Sequence, residues 1–257
     1  VRAASDAGVR LFPAHVVRYM GEYERIKQGI DAGRIGTLAV QRFHRAGSAP
    51  QTPWFFSERA GGGVIRDLAI HDIDQAMWFA GDVTQVFAVQ NPPTVDDRVP
   101  APVTAHVVLT HANGVISHIH ASWGLPGIPF RTSVEVAGSE GRLRYDSAED
   151  RTLRTDAVVD SAATDYLPPM SPQDSPYYAE IADFVAAIRE RRDARVAPVD
   201  GIRAVAVAEA AYASIAAGAP VEVGGRSAHG ADRASDAVAV AASASAASVA
   251  SIEEVAR

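Results

Sequence analysis

The sequence predicts an α+β domain built on a large, consecutive and largely antiparallel sheet. Between residues 83 and 145, five short segments alternate polar and apolar residues or run apolar, as strands do. Turn-forming pairs such as Asn113-Gly114 and Pro126-Gly127 separate these segments. Helical patterns precede and follow the strands, and Gly81 and Gly218 end two of them. Strands grouped in one run, with helices on either side of it, are typical of the α+β class.

The elements before this run begin with the end of a helix over residues 1–7, which Gly8 closes. There follow a mostly buried strand over residues 9–17, a helix ending at Gly33, a strand over 37–44, a loop over 45–53 and a helix over 64–80. The strands of the run are expected over residues 83–90, 103–110, 115–123, 132–137 and 142–145. Helices over 177–191 and 201–217 and a short strand over 221–223 complete the domain.

The composition indicates a folded protein that acts on small molecules. Hydrophobic residues make up 47% of the 257, which is enough for a sizeable core. A net charge of −7 argues against a nucleic-acid groove or an anionic membrane surface. Without cysteine, the chain has neither disulfides nor a thiolate nucleophile. No segment has the pattern of a signal peptide or the roughly 18 apolar residues of a membrane span, so the cytoplasm is the expected location.

Residues 224–257 differ in composition from the rest of the chain. Ala and Ser dominate there, and apolar bulk is scarce before Ile252. Such a segment buries too little surface to offset the entropy of ordering it, so we expect a mobile tail. A single alanine-rich helix over the last turns is the alternative.

The helix expected over residues 64–80 carries the strongest chemical pattern. Asp67 and His71 are four residues apart and Asp74 is three further on, so a regular helix places all three on one face. A carboxylate one turn before a histidine can hold its tautomer and raise its basicity. The imidazole could then take a proton from a bound hydroxyl. The three glycines from Gly61 to Gly63 allow positive φ and a close backbone approach before the helix begins.

Two other interpretations of this pattern remain open. Asp67 and His71 fit an ordinary ion pair on a solvated helix face. The apolar neighbours Leu68, Ile70 and Ile73 count against that, because they predict a mostly buried helix. The same residues with Asp74 could chelate a metal in a hydrolase or isomerase, but two or three ligands from one helix are thin support. We expect no metal.

Several ordered segments of the chain resemble the Gfo/Idh/MocA superfamily, the glucose-fructose oxidoreductases and inositol dehydrogenases. The resemblance runs from about residue 1 to residue 223. It rests on residues 14–19, 30–36, 61–74 and 136–141 and on the Ala-rich helix before Gly218.

The resemblance implies an N-terminal Rossmann domain that binds NAD or NADP, followed by a C-terminal α+β domain of the dihydrodipicolinate-reductase-like kind. That second domain packs helices on one side of its sheet and commonly forms oligomer contacts with the other. By this comparison, residues 1–17 are a remnant helix and strand of the Rossmann domain, and residues 18–223 are the substrate and oligomerisation domain. The sequence has no G-x-G-x-x-G after a strand, and it lacks the catalytic lysine of the family's Glu-Lys-Pro motif. We therefore expect no cofactor-binding residue in this chain and no nicotinamide binding by the chain alone.

The resemblance also assigns roles to individual residues. His71 matches the family's catalytic histidine, which shuttles the proton of the alcohol, and Asp67 matches its partner carboxylate. His44 lies where inositol dehydrogenase-like members place a substrate-binding histidine, although Ala46 replaces the polar residue expected two positions later. Arg18 matches an arginine near the pocket. Phe130 stands where a tyrosine is common, so one hydroxyl contact would be lost.

His15, Trp54 and Asp74 complete the candidate substrate contacts. Each weaker candidate also has a structural interpretation. His15 and His44 fit satisfied histidines at strand ends, Arg18 could pair with Glu22, and Trp54 fits packing ahead of the glycines. His118 and His120 alternate with isoleucines and are expected on the sheet surface.

Together these features predict the catalytic half of an NAD(P)-dependent oxidoreductase that acts on a secondary alcohol of a sugar, inositol or related polyol. We expect homo-oligomers formed through the open sheet face, and a separately encoded Rossmann partner is possible. The alternative is a non-catalytic binding or oligomerisation module that has lost cofactor binding. A Rossmann reading frame next to the gene would distinguish the two.

Overall fold

A computed structural model describes residues 1–148 and 175–223, which form an α+β domain around a seven-stranded sheet. The strands are β1 (Leu38–Ser48), β2 (Val83–Asn91), β3 (Val103–His111), β4 (Ile116–Gly124), β5 (Arg131–Gly138), β6 (Arg142–Asp146) and β7 (Val221–Glu222). The helices are α1 (Arg2–Asp6), α2 (Gly21–Asp31), α3 (Ile70–Ala80), α4 (Pro176–Glu190) and α5 (Pro198–Ala217). The tail expected over residues 224–257 lies outside the described residues.

The sheet has the order β6-β5-β1-β4-β3-β2-β7. Strands β2, β3 and β4 form a consecutive antiparallel meander, and β5 pairs with β6 in the same way. Strand β1 joins these two groups, because it lies antiparallel to β5 and parallel to β4. The expected largely antiparallel sheet is therefore confirmed, with one parallel pair at its centre.

The two faces of the sheet differ in burial. Along β3, buried residues such as Val107 and Leu109 alternate with half-buried or exposed ones. The buried face packs against α3 and α5. The opposite face, here called the outer face, carries the exposed apolar residues Phe87, Val89 and Ile116. In the described part of the chain, helices thus cover one side of the sheet only, as the resemblance implies.

The glycines before α3 adopt the backbone that the sequence predicts. Gly62 and Gly63 have φ values of +84° and +57°. A Cβ at Gly63 would lie 2.6 Å from Cγ2 of Val99, so this position requires glycine on steric grounds as well. A π-helical turn over Ile65–Ala69 then leads into α3.

The strand expected over residues 9–17 does not form. Residues 9–15 are irregular, and a 3₁₀ turn over Val16–Tyr19 follows them. No strand among the described residues lies beside this segment to satisfy its backbone, and Pro13 has no N–H to donate. Side chains attach the segment to α4 instead. Arg10 donates to the carbonyls of Ala187 and Arg192 at 2.6 Å, and Phe12 stacks on Phe184.

The loop expected over residues 45–53 begins later than predicted, because β1 continues to Ser48. Pairing with two neighbours explains the extension. Residues Arg45 to Ser48 pair with Ala121 to Gly124 of β4, and β5 supports the other side as far as Ala46. A central strand gains hydrogen bonds on both edges, which a local sequence pattern does not reveal.

Candidate active site

A buried ion pair between Arg18 and Asp74 joins the 3₁₀ turn to α3. Arg18 Nε donates to Asp74 Oδ2 at 2.9 Å, and Nη2 donates to Oδ1 at 2.7 Å. Its Nη1 lies 3.1 Å from Oδ2 of Asp200, in the first turn of α5. Burial alone would lower the pKa of Arg18, but hydrogen bonding and the charge of Asp74 raise it. The guanidinium therefore stays charged. Because its carboxylate partners are Asp74 and Asp200, the interpretation that pairs Arg18 with Glu22 is wrong.

His15 borders the same pair. Its Nδ1 lies 3.9 Å from Oδ2 of Asp74. Burial lowers the pKa of His15, although the charge of Asp74 opposes that effect. The structure therefore brings together His15, Arg18 and Asp74 as one polar group beside α3.

A second buried ion pair joins β1 to α3. Arg45 donates to Asp72 from Nε at 3.1 Å and from Nη2 at 2.7 Å. The hydroxyl of Tyr23 lies 3.4 Å from the same Nη2, and the guanidinium lies 5.9 Å from the ring centroid of Phe130. Two bidentate pairs thus hold α3 from opposite directions.

His71 lies on α3 and immediately precedes Asp72, the carboxylate of this second pair, in the sequence. The residue is half-buried, and its Nδ1 is buried and has no hydrogen-bond partner in the described part of the chain. Burial, followed by the positive charges of Arg45 and His15, lowers the pKa of His71 to about 3. The imidazole is therefore neutral around pH 7, which is the form that can accept a proton.

Asp67 lies in the π-helical turn, not in a regular helix as the sequence predicts. The extra residue in this turn changes the helical register between Asp67 and His71. Asp67 has a polar or electrostatic interaction of its own. The groups that shift the pKa of His71, however, are Arg45 and His15. The pairing of Asp67 with His71 stays a prediction.

His44 is not brought to His71. Adjacent strand residues point to opposite faces, and since Arg45 faces α3, His44 faces outward. There its Nδ1 lies 2.7 Å from Nδ1 of His120, whose ring stacks on His106 with centroids 4.6 Å apart. Burial and the two neighbouring histidines lower the pKa of His120 to about 4. His44 thus lies with His120 on the outer face, and its expected role as a substrate contact stays a prediction.

The remaining expectations concern residues around these groups. His118 is exposed and His120 half-buried on the outer face, which confirms that they are sheet-surface residues. Trp54 is 50% exposed and stacks on Phe55, with ring centroids 4.3 Å apart. Phe130 is half-buried near Arg45, on the same side of the sheet as α3.

Sequence reasoning missed three residues close to this site. Arg45 was expected in a loop, yet it is the buried partner of Asp72. Gln75 and Glu180 are buried, each with a side-chain oxygen that no described residue hydrogen-bonds. Burial raises the pKa of Glu180 to about 7. One signal could have revealed Arg45, because Asp72 on a largely apolar helix requires a buried cationic partner.

The donor set does not fit a metal ion. Arg18 binds both oxygens of Asp74, so this carboxylate is neutralised by a cation already. Within residues 1–148 and 175–223, no group of three or more His, Asp or Glu side chains is arranged to hold a metal.

The described residues do not fit a dinucleotide either. A dinucleotide fold needs parallel strands joined by helices and a glycine-rich turn at a helix N-terminus. In the described sheet, β1 and β4 are the one parallel pair, and they are not consecutive along the chain.

In the described ranges, no helix is long and apolar enough to cross a membrane.

Comparison with known proteins gives this site its context. Residues 23–144 match the model of the GFO/IDH/MocA C-terminal domain. The chain is 29% identical to the uncharacterized oxidoreductase YrbE of Bacillus subtilis (strain 168), over 86% of this chain and 65% of that protein. It is 27% identical to inositol 2-dehydrogenase of Rhizobium meliloti (strain 1021), over 84% and 66%. Among solved structures, GenD2 from gentamicin A biosynthesis, in complex with NAD, superimposes with a TM-score of 0.72 at 26% identity, over 86% and 66%.

Residues 23–144 are thereby identified as a C-terminal domain of the Gfo/Idh/MocA superfamily. The chain spans just under two thirds of the length of the first two relatives.

Proposed function

We propose that this chain supplies the substrate side of an NAD(P)-dependent oxidoreductase that acts on a secondary alcohol of a sugar, inositol or related polyol. His71 receives the hydroxyl proton, and Asp67 orients the ring and stabilises the imidazolium that forms. Family membership supports the reaction class, and relatives named inositol 2-dehydrogenase and D-apiose dehydrogenase support the substrate class.

The observation that carries this proposal is the place of half-buried His71 on α3, the helix whose Asp72 and Asp74 form the two buried ion pairs. The pairs fix α3 from the 3₁₀ turn and from β1, so the ring sits on a rigid support. Burial, and after it the charges of Arg45 and His15, lowers the pKa of His71 and so favours the neutral imidazole. A substrate hydroxyl at the exposed edge would find a proton acceptor that is already in the reactive form.

A pKa of about 3 is low for a general base, because proton transfer is favoured when the pKa of the base lies near the working pH. A carboxylate in contact with the ring raises the pKa of an imidazole. Asp67 is the acidic residue one turn before His71 and is assigned this role. If Asp67 contacts the ring when substrate binds, the pKa of His71 would rise.

A nicotinamide would accept the hydride from the alcohol carbon. Since the described residues do not fit a dinucleotide, other residues would have to bind it, such as those of a separately encoded Rossmann partner. This proposal therefore assigns only the proton-accepting side of the reaction to this chain.

The test joins the chain to the dinucleotide domain of a relative and screens polyols for NAD(P) reduction. We expect His71→Ala to reduce kcat by about 10²- to 10⁴-fold, the usual contribution of a general base. Asp67→Asn should lower kcat and shift its pH profile. His118→Ala, on the outer face, is the matched control and should leave kcat unchanged. Oxidation by the His71→Ala variant at the parent rate would refute the proposal.

One observation favours a second candidate, a non-catalytic oligomerisation module. The outer face exposes Phe87 and Val89 on β2 and Ile116 on β4. Exposed apolar side chains on one sheet face are typical of protein interfaces when they form a patch.

A further inference from the structure

Helix α4 exposes a stripe of apolar side chains. They are each 38% to 66% exposed and follow one another at intervals of three or four residues, so they share one face of the helix: Tyr178, Ile181, Val185 and Ile188. Apolar groups gathered on one exposed face mark an interaction site. This set is called the α4 stripe below.

The first turns of α5 carry a shorter stripe of the same kind. Val199, Ile202 and Val205 are 44% to 52% exposed and are spaced three residues apart, so they lie along one side of the helix. They form the α5 stripe. Two successive helices thus leave apolar side chains without cover in the described part of the chain.

Residues 10–14 lie against both helices and have unpaired backbone groups. Phe12 stacks on Phe184 of α4 with ring centroids 4.6 Å apart, and a Cβ at Gly201 of α5 would lie 3.0 Å from Pro13. No backbone hydrogen bond joins residues 10–14 to another described residue. Leu11, in the middle of this segment, is 42% exposed. The segment therefore offers free N–H and C=O groups beside two uncovered apolar stripes.

The edge of a second sheet would satisfy both features. A strand laid beside residues 10–14 would pair with their N–H and C=O groups, as in strand addition to an exposed edge. The domain that carries this strand would also bury apolar side chains of the adjacent helices, because helices and sheets are stable when their apolar faces are packed on another layer.

The described sheet is poorly suited to supply that strand, even from a second copy of the chain. Its two edge strands are β6 and β7, and β7 has only two residues. Strand β6 exposes Arg142 and Arg144, and charged side chains on an edge strand oppose the addition of another strand. A different domain fits better.

We propose that residues 10–14 add as an edge strand to the sheet of a dinucleotide-binding domain, and that the α4 and α5 stripes pack against that domain. This inference rests on the proposed function, which requires residues other than those described to hold the nicotinamide. A dinucleotide domain has an open sheet whose faces are covered by helices, so it offers both an edge and apolar surface for helix packing. The surface thus has a partner of defined architecture.

The test measures amide hydrogen exchange in the intact chain and in the chain joined to the dinucleotide domain of a relative, both without cofactor. In the chain alone, the amides of residues 10, 11, 12 and 14 should exchange rapidly. Joining should slow them by about 10²-fold or more, because sheet hydrogen bonds open only through local unfolding. Exchange that is already slow in the chain alone, or equally fast in both proteins, would overturn the inference.

Ile181→Glu tests the α4 stripe. In the joined protein it should remove most of the protection of residues 10–14 and leave the amides of β3 protected, which shows that the domain itself is folded. Phe87→Glu, which places the same charge on the outer face, is the matched control and should leave residues 10–14 protected. Equal protection in the two variants would contradict the proposal. So would a self-associated chain that Ile181→Glu dissociates, because the occupant would then be a second copy.

The exchange measurement and the activity assay fail independently. If joining protects residues 10–14 but His71→Ala does not slow the joined enzyme, the proposed function is wrong and the docking surface stands. If His71→Ala slows the enzyme while residues 10–14 exchange as fast as in the chain alone, the function stands and the docking surface is wrong.

Discussion

At the scale of single residues, burial determines the protonation states around α3. It lowers the pKa of His71 to about 3 and raises that of Glu180 to about 7, so both groups are held toward their neutral forms. The sequence was sufficient to single out Asp67 and His71, because their spacing and their apolar neighbours are visible in it. It could not reveal Gln75 or Glu180, since a buried polar residue on a helix looks like a solvated one until the packing is known.

Glu180 makes the folded state sensitive to pH. Because its folded pKa is raised, the folded chain holds a proton that the unfolded chain loses between about pH 4.5 and pH 7. Stability from this group is complete below pH 4.5 and is lost as the pH rises through 7. Glu180→Gln should therefore gain stability over the parent by up to about 3 kcal/mol between pH 4.5 and pH 8. Urea unfolding at both pH values measures this. The exposed Glu190→Gln should show no such gain, and equal curves for Glu180→Gln and parent would contradict the assignment.

At the scale of elements, the strands after residue 83 agree with prediction because their alternation and turns are local signals. Two expectations failed for non-local reasons. Residues 9–15 have no neighbouring strand among the described residues, whereas the end of β1 has strands β4 and β5 as neighbours. The π-helical turn before α3 was also beyond prediction, because its apolar spacing resembles that of an ordinary helix.

The pair of Arg45 with Asp72 is expected to hold β1 against α3. Asp72→Leu should destabilise the fold by about 3–5 kcal/mol, because it leaves a buried guanidinium without its carboxylate. The double variant Arg45→Met with Asp72→Leu should lose clearly less, since no buried charge remains. Denaturant unfolding of the parent, the single variants Asp72→Leu and Arg45→Met, and the double variant gives a double-mutant cycle. Equal losses in the single Asp72 variant and the double variant would show that charge pairing does not hold the elements together.

At the scale of the molecule as described, helices cover one face of the sheet, and exposed apolar and histidine side chains lie on the outer face. The fold class was predictable because the grouping of strands and helices along the chain determines it. The position of His44 was not predictable, since it depends on which face of β1 meets α3.

The outer face should drive self-association if the second candidate function is right. We expect sedimentation to show a dimer or larger assembly that Phe87→Glu shifts toward monomer, because a buried charge without a partner opposes association. Ile181→Glu on α4 introduces the same charge at an exposed apolar residue elsewhere and should leave the mass unchanged. A monomeric parent at micromolar concentration would count against this interface.

The central position of β1 has a consequence for the order in which the domain folds. The β2-β3-β4 meander and the β5-β6 hairpin form from neighbouring segments, whereas β1 must close long loops, with Val40 opposite Ile116. Contacts between distant segments form slowly because the entropy of loop closure is lost first. Strand β1 should therefore be protected from hydrogen exchange later than the meander during refolding. Since Arg45 lies on β1, its ion pair with Asp72, the residue after His71, would form only in the last steps of folding.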